Sequence, residues 1–146
     1  MLIALGCDHG GFDLMQSVKA FLDTKGYKYK DFGTFTKDSC DYPEFGAIAA
    51  RAVSSGECDR GILICTTGIG IGITANKISG IRAALCTNSF MAEMARRHND
   101  ANVLALGAFV TGSGLSLDIV KAFLVTDFEG GKRHVRRVDM INALDI

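Results

Sequence analysis

Residues 60–66, RGILICT, form an apolar run with no alternation. A strand with one face in water alternates polar and apolar side chains, so a continuous run belongs to a strand covered on both faces, as in a parallel sheet between helices. The neighbouring segments agree with that reading. LIALGC (2–7) reads as a first strand, after which Phe12, Met15, Val18 and Leu22 recur at helical spacing until Gly26 stops the helix. YKYKDFG (27–33) alternates as a second strand. DYPE (41–44) then opens a helix, with Asp41 as N-cap, Pro43 in the first turn and Glu44 completing a capping box, and the helix carries Phe45, Ile48, Ala49, Ala52 and Val53 to Gly56. A glycine-rich helix follows the third strand. IRAALC (81–86) and NVLALG (102–107) make the fourth and fifth strands, separated by a helix capped by Thr87 or Asn88. A fifth helix spans roughly 112–125, and a basic one spans 132–144. Strands alternating with helices predict an α/β fold: a three-layer α/β/α sandwich around a five-stranded parallel, Rossmann-like sheet, with 1–146 as a single domain.

A chain of 146 residues is long enough for one core, burying about 70 % of the surface its unfolded form exposes. Acidic and basic residues balance at 16 each with no run of like charge, so neither a nucleic-acid face nor a membrane-binding patch is expected. Met1 leads into LIALGCDHGG with no basic segment before it and an apolar run too short for a signal peptide or a span. The expectation is a cytoplasmic protein. Cys7, Cys40, Cys58, Cys65 and Cys86 are an odd count without a C-x-x-C pair, which argues for free thiols rather than a disulfide framework or zinc knuckle. No metal and no cofactor are expected.

In a parallel sheet of this kind, ligands bind beyond the carboxyl ends of the strands near the point where strand order reverses. Two such ends carry chemistry: CDHGG (7–11) after the first strand and CTTGIG (65–70) after the third. Cys65 is a small buried hydrophobe on the plain reading. Gly68 and Gly70, however, allow a sharp turn into a helix with unshielded first amides. Such amides favour a thiolate facing them and stabilise an oxyanion. Other uses of the loop fail on spacing. A Walker A loop ends in Gly-Lys-Ser/Thr, absent here; Gly68, Gly70 and Gly72 are spaced G-x-G-x-G rather than G-x-G-x-x-G; and Ile71 stands where a cysteine phosphatase loop has its arginine. Asp8 and His9 are a helix-capping aspartate and a surface histidine on the plain reading, and site residues if their loop meets that of Cys65. His98 ends the fourth helix on the face of Met91, Met94 and Ala95, which also suits a packed histidine, and Asn99 is a candidate helix terminator. Arg133 and Arg137 lie i, i+4 on the last helix, suited to an anionic ligand such as a sugar phosphate, or to a solvated face.

Taken together, GCDHGGF (6–12), DYP (41–43), GILIC with TGIGI and ANK (61–77), GIRAA (80–84), HNDANVLALG (98–107) and EGG with RHxxRV (129–138) resemble the ribose-5-phosphate isomerase B family, which includes galactose-6-phosphate and allose-6-phosphate isomerases. The resemblance runs through nearly the whole chain. It implies metal-independent interconversion of an aldose phosphate and a ketose phosphate, in a homodimer or a dimer of dimers with composite active sites. Carried over by position, it makes Cys65 the base at C2 of the open-chain aldose. Thr67 and the amides around Gly68 and Gly70 hold the cis-enediolate oxygen, with Asn99 assisting. His98 opens the furanose ring, Asp8 lies near the sugar hydroxyls, Tyr42 touches the sugar, and His9, Arg133 and Arg137 contact phosphate. Three positions depart from the family pattern: Thr66 replaces the glycine that commonly follows the cysteine, Phe109 stands where many members have a phosphate-holding arginine, and Lys132 is an extra residue before Arg133.

These departures bear on the sugar more than on the reaction. Ribose 5-phosphate is the first expectation and a six-carbon aldose phosphate, of allose or galactose, the second. A reading of another class is a non-catalytic sugar-phosphate sensor on the same fold, which needs the basic helix and the glycine loop but not Cys65, Thr67 and His98 together. The helices also run back antiparallel to their strands. The end of the fourth helix, with His98, is therefore expected at the sheet edge opposite Cys65.

Overall fold

The computed structural model describes residues 1–145. Strands β1 (Leu2–Cys7), β2 (Lys28–Asp31), β3 (Arg60–Cys65), β4 (Ala83–Leu85) and β5 (Val103–Gly107) form one sheet in the order β2-β1-β3-β5-β4, every neighbouring pair parallel. The helices are α1 (Phe12–Lys25), α2 (Tyr42–Ser54), α3 (Ile69–Ala75), α4 (Ser89–Asn99), α5 (Ser113–Val125) and α6 (Lys132–Asn142), with a 3-10 turn at His9–Gly11.

Alternate side chains along the central strands feed two cores. Ile3, Leu5, Ile62, Ile64, Leu104 and Leu106 point to a face covered by Met15, Val18 and Leu22 of α1, Ala92 and Ala95 of α4, and Ile119, Val120 and Phe123 of α5. Ala4, Leu63, Cys65 and Val103 point the other way, against Ala49, Ala50 and Val53 of α2 and Ile71 and Ala75 of α3. The expected three layers are therefore present, and the uninterrupted apolar run of β3 is explained by cover on both faces. No helix among the described residues is long and apolar enough to cross a membrane.

Three local expectations are corrected. Asp41 is the N-cap of α2, but its carboxylate makes no capping bond; Pro43 has no amide to offer, and the Glu44 amide donates instead to the Asp41 carbonyl at 3.2 Å. The fourth strand is shorter than 81–86, because side chains fix its approach: Asn102 Oδ1 accepts from the Arg82 amide at 2.8 Å, and Asn76 brackets Ala83 through both its amide and its carbonyl. Helix α4 is capped by the Asn88 side chain on the Met91 amide. It ends through Asp100 in the left-handed conformation (φ 45°) rather than through Asn99, which is its last helical residue.

The amino edge of the sheet is held by two buried arginines. Arg60 Nη1 donates to the carbonyls of Phe123 and Leu124 at the end of α5, while Arg96 Nη1 donates to Asp100 Oδ1 and the Ala101 carbonyl. The first set ties the start of β3 to the end of α5, and the second ties α4 to the approach to β5.

Candidate active site

The chain reverses its direction of growth between β1 and β3, which lie side by side with Cys7 paired to Ile64. Their carboxyl ends therefore bring the two chemically loaded loops together, joined by a hydrogen bond from the Asp8 amide to the Ile64 carbonyl. Asp8 is buried, and its Oδ1 accepts from the Gly11 amide at 3.0 Å, so the capping role is real. His9 is exposed beside it. Its Nδ1 accepts from the Cys40 amide at 3.2 Å, which leaves the ring proton on Nε2.

Cys65 ends β3 and is 4 % exposed, and its Sγ accepts the Gly68 amide at 3.1 Å. That contact distinguishes it from its neighbours. Burial pushes the Cys7 thiol up to about 12 and the Cys86 thiol up to about 11, so both stay protonated and inert at neutral pH. All five cysteines are free thiols. Thr67 is exposed next to Cys65, with its Oγ1 accepting from the Ile69 amide at 3.2 Å. The loop is anchored from β5 by the Ala108 amide on the Cys65 carbonyl (2.9 Å) and the Phe109 amide on the Thr66 carbonyl (3.0 Å).

The two glycines of this loop serve different ends. Gly68 caps α3 with φ 77°, and a Cβ there would stand 2.7 Å from the Leu106 carbonyl carbon and 2.9 Å from the Gly107 nitrogen. Gly68→Ala combines left-handed strain with a backbone clash, so it is expected to lower stability by about 1–3 kcal/mol. A fall in the thermal midpoint checks this. Gly70, by contrast, is inside α3 and makes no turn; its missing side chain is filled by Tyr42, whose hydroxyl would lie 2.7 Å from a Cβ at that position. Tyr42 at the start of α2 is thereby seated against the glycine loop. Of the three departures noted in the sequence, Thr66 turns its hydroxyl toward Gly10 of the β1 loop, Phe109 is 80 % exposed at the end of β5, and Lys132 is exposed at the start of α6.

A second group of candidates lies elsewhere. His98 and Asn99 close α4, which packs on α6, the helix carrying Arg133 and Arg137. Both arginines are exposed, and Arg137 shares a cavity of about 440 Å³ with Asn99, Met140, Ile141 and Leu144. The His98 ring lies flat against that of His134, with centroids 4.4 Å apart and planes 4° from parallel. His134 and its neighbour Glu129 escaped the sequence reading, although both lie within EGG and RHxxRV. The signal that marks them is their place in those two motifs.

The two groups are separated by the length of the sheet. Helix α4 ends beside Ala101, just before β5, whereas Gly107 at the far end of β5 is paired with Cys65. At about 3.3 Å per strand residue the gap is roughly 20 Å, farther than one small sugar phosphate reaches.

His98, Glu129 and His134 present metal-type ligand atoms within 4.8 Å of one another. A metal lies in the plane of each imidazole that binds it, and two stacked parallel rings have no such point in common. Glu129 is also engaged by Arg97. The trio is arranged for packing against itself, not for coordination.

The profile of the Ribose/Galactose Isomerase family matches residues 3–141. Ribose-5-phosphate isomerase B of Escherichia coli is 48 % identical over 143 residues, covering 98 % of this chain and 95 % of that one. The galactose-6-phosphate isomerase subunit LacB of Clostridium acetobutylicum is 39 % identical over 144 residues, covering 99 % of this chain and 83 % of that one. The solved structure of ribose-5-phosphate isomerase B from Clostridium thermocellum superposes with a TM-score of 0.96 at 56 % identity, covering 99 % of this chain and 97 % of that one. The chain is therefore an enzyme of the ribose/galactose isomerase family.

Proposed function

We propose that the enzyme interconverts ribose 5-phosphate and ribulose 5-phosphate through a cis-enediolate, with Cys65 as the base. The observation that carries this reading is the Cys65 Sγ at the end of β3, which accepts the Gly68 amide of the glycine turn at 3.1 Å. The names of the E. coli and C. thermocellum relatives support the substrate. In this mechanism the thiolate removes the proton from C2 of the open-chain aldose. The electron pair forms the C1–C2 double bond, and the developing charge on the C1 oxygen is met by Thr67 and the amides around Gly68 and Gly70, with Asn99 assisting. A proton passes from O2 to O1 and the thiol returns its proton to C1, which leaves the C2 carbonyl of the ketose. His98 opens the furanose ring, Asp8 and Tyr42 hold the sugar, and His9, Arg133 and Arg137 hold the phosphate.

Because the groups of Cys65 and His98 lie at opposite ends of one sheet, a complete site in this reading is composite. Cys65, Thr67, Asp8, His9 and Tyr42 come from one chain, and His98, Asn99, Arg133 and Arg137 from another across a two-fold interface, in a homodimer or a dimer of dimers. Removal of either arginine is expected to act on binding. Charge-assisted hydrogen bonds contribute about 1.5–3 kcal/mol, so Arg133→Ala and Arg137→Ala should each raise KM about tenfold to a hundredfold and make binding less sensitive to salt. Unchanged kinetics in both would return α6 to a solvated face.

Phe109 and Thr66 favour a second substrate reading, a six-carbon aldose phosphate, because one removes a phosphate-holding arginine and the other alters the loop beside the base. A screen of ribose, allose and galactose phosphates for ketose formation, with EDTA present, separates the two. Ketose formed only from a six-carbon substrate transfers the assignment to that sugar; binding without turnover of any makes the protein a sensor.

A further inference from the structure

The stacked pair at the end of α4 gives His134 a task that the mechanism above leaves open. His134 is buried on α6 and the half-buried His98 lies flat on it. Its own position is fixed from several sides. The His134 amide donates to the Gly131 carbonyl at 2.8 Å, starting α6; the Glu129 amide donates to the Arg97 carbonyl at 3.1 Å, so the segment leading into α6 is tied to α4 one residue before His98. Arg97 Nε closes the same tie at the Glu129 carboxylate, 2.7 Å away.

Two stacked imidazoles repel strongly if both are charged. The groups facing His134 decide which stays neutral. Burial first, then His98, Arg133 and Arg137, push His134 below the ordinary imidazole range, with Glu129, 3.6 Å from its Nε2, opposing them. Arg133 Nε approaches the same nitrogen at 3.4 Å, casting it as an acceptor. At neutral pH His134 is thus a flat, uncharged surface under His98.

We propose that His134 is a positioning residue for ring opening: its imidazole face fixes the plane of His98, so that His98 meets the ring oxygen of the cyclic sugar in a single orientation. The inference rests on the isomerase reading and on the role of His98 within it. Its distinguishing consequence comes from the chemistry of the two sugars. Ribose 5-phosphate closes to a furanose and must be opened, whereas ribulose 5-phosphate has its O5 esterified and stays acyclic. Exchange of the C1 hydrogen of ribulose 5-phosphate with deuterium oxide needs the base and the enediolate donors but no ring chemistry.

The test compares His134→Phe, which keeps an aromatic face, with His134→Leu, which fills the space without one. Each is assayed for turnover of ribose 5-phosphate and for C1 exchange of ribulose 5-phosphate, with thermal midpoints recorded. His134→Leu is expected to lose kcat on ribose 5-phosphate on the order of tenfold to a hundredfold, the scale of a misplaced catalytic group, while exchange stays within about twofold and KM changes little. His134→Phe should recover most of the turnover. Wild-type turnover in His134→Leu overturns the proposal, as does an equal loss of turnover and exchange, or a His134→Phe variant that folds but is no better than His134→Leu. If His134→Leu fails to fold, His134→Phe alone decides: near-wild-type turnover supports the stack, and lost turnover with stability retained refutes it. Wild-type protein that neither turns over ribose 5-phosphate nor exchanges C1 overturns the isomerase reading, and this inference with it.

Discussion

Cys65→Ala is expected to abolish isomerisation, with kcat falling on the order of 10²- to 10⁴-fold or further, while the affinity for the phosphorylated sugar stays within a few fold. The reason lies in the separation of tasks. Sγ acts on a carbon-bound proton, whereas the phosphate is held by His9, Arg133 and Arg137 in the proposed site. Exchange of the C2 hydrogen with solvent should vanish together with turnover. The fold should survive, because the change removes one sulfur from the cluster of Ala49, Leu63, Ile71 and Ala75 and disturbs no backbone ladder. Retained turnover would make Cys65 an ordinary member of that core and remove the base from the mechanism.

Mixing two inactive variants is expected to restore activity. Cys65 and His98 lie at opposite ends of β5, so in the proposed composite site each pair is assembled from two chains. In a heterodimer of Cys65→Ala and His98→Ala chains, one site keeps both residues and the other lacks both. Equal mixing with complete exchange makes half the dimers heterodimers, so recovery to about a quarter of wild-type activity follows from the symmetry. Subunit exchange must be verified independently, for instance with chains of distinguishable mass. Exchange without recovered activity would mean that both residues act from the same chain, or that His98 only packs on His134.

What could be read in the sequence follows from the range of the forces involved. The apolar run of β3 announced cover on both faces because both faces draw on it, with Ile62 and Ile64 on one side and Leu63 and Cys65 on the other. A cap at Thr87 or Asn88, which proves to be Asn88, and a sharp turn at Gly68 were legible for the same reason, each being settled within a few residues. The antiparallel return of α4 was enough to place His98 away from Cys65. Longer-range choices were not legible. Gly70 was expected to share the sharp turn with Gly68 but is a seat for Tyr42, a contact between α2 and α3 that spacing cannot reveal. Asp41 and Glu44 had the letters of a capping box, yet the Glu44 amide donates to the Asp41 backbone carbonyl rather than to its carboxylate. His134 was overlooked because its importance lies in a ring on another helix. Cys40, unremarkable in a loop, proved to hold His9 in one tautomer through its amide.

Isomerisation by Cys65 is measured most directly by incubating the purified protein with ribose 5-phosphate in deuterium oxide, with EDTA present, and following the reaction by proton NMR. Ribulose 5-phosphate carrying solvent deuterium at C1 is expected to appear, with slow loss of the C2 proton signal from the remaining ribose 5-phosphate, and neither event with Cys65→Ala. Formation of no ketose, or ketose formation at an undiminished rate by Cys65→Ala, would rule out Cys65-based isomerisation of this sugar.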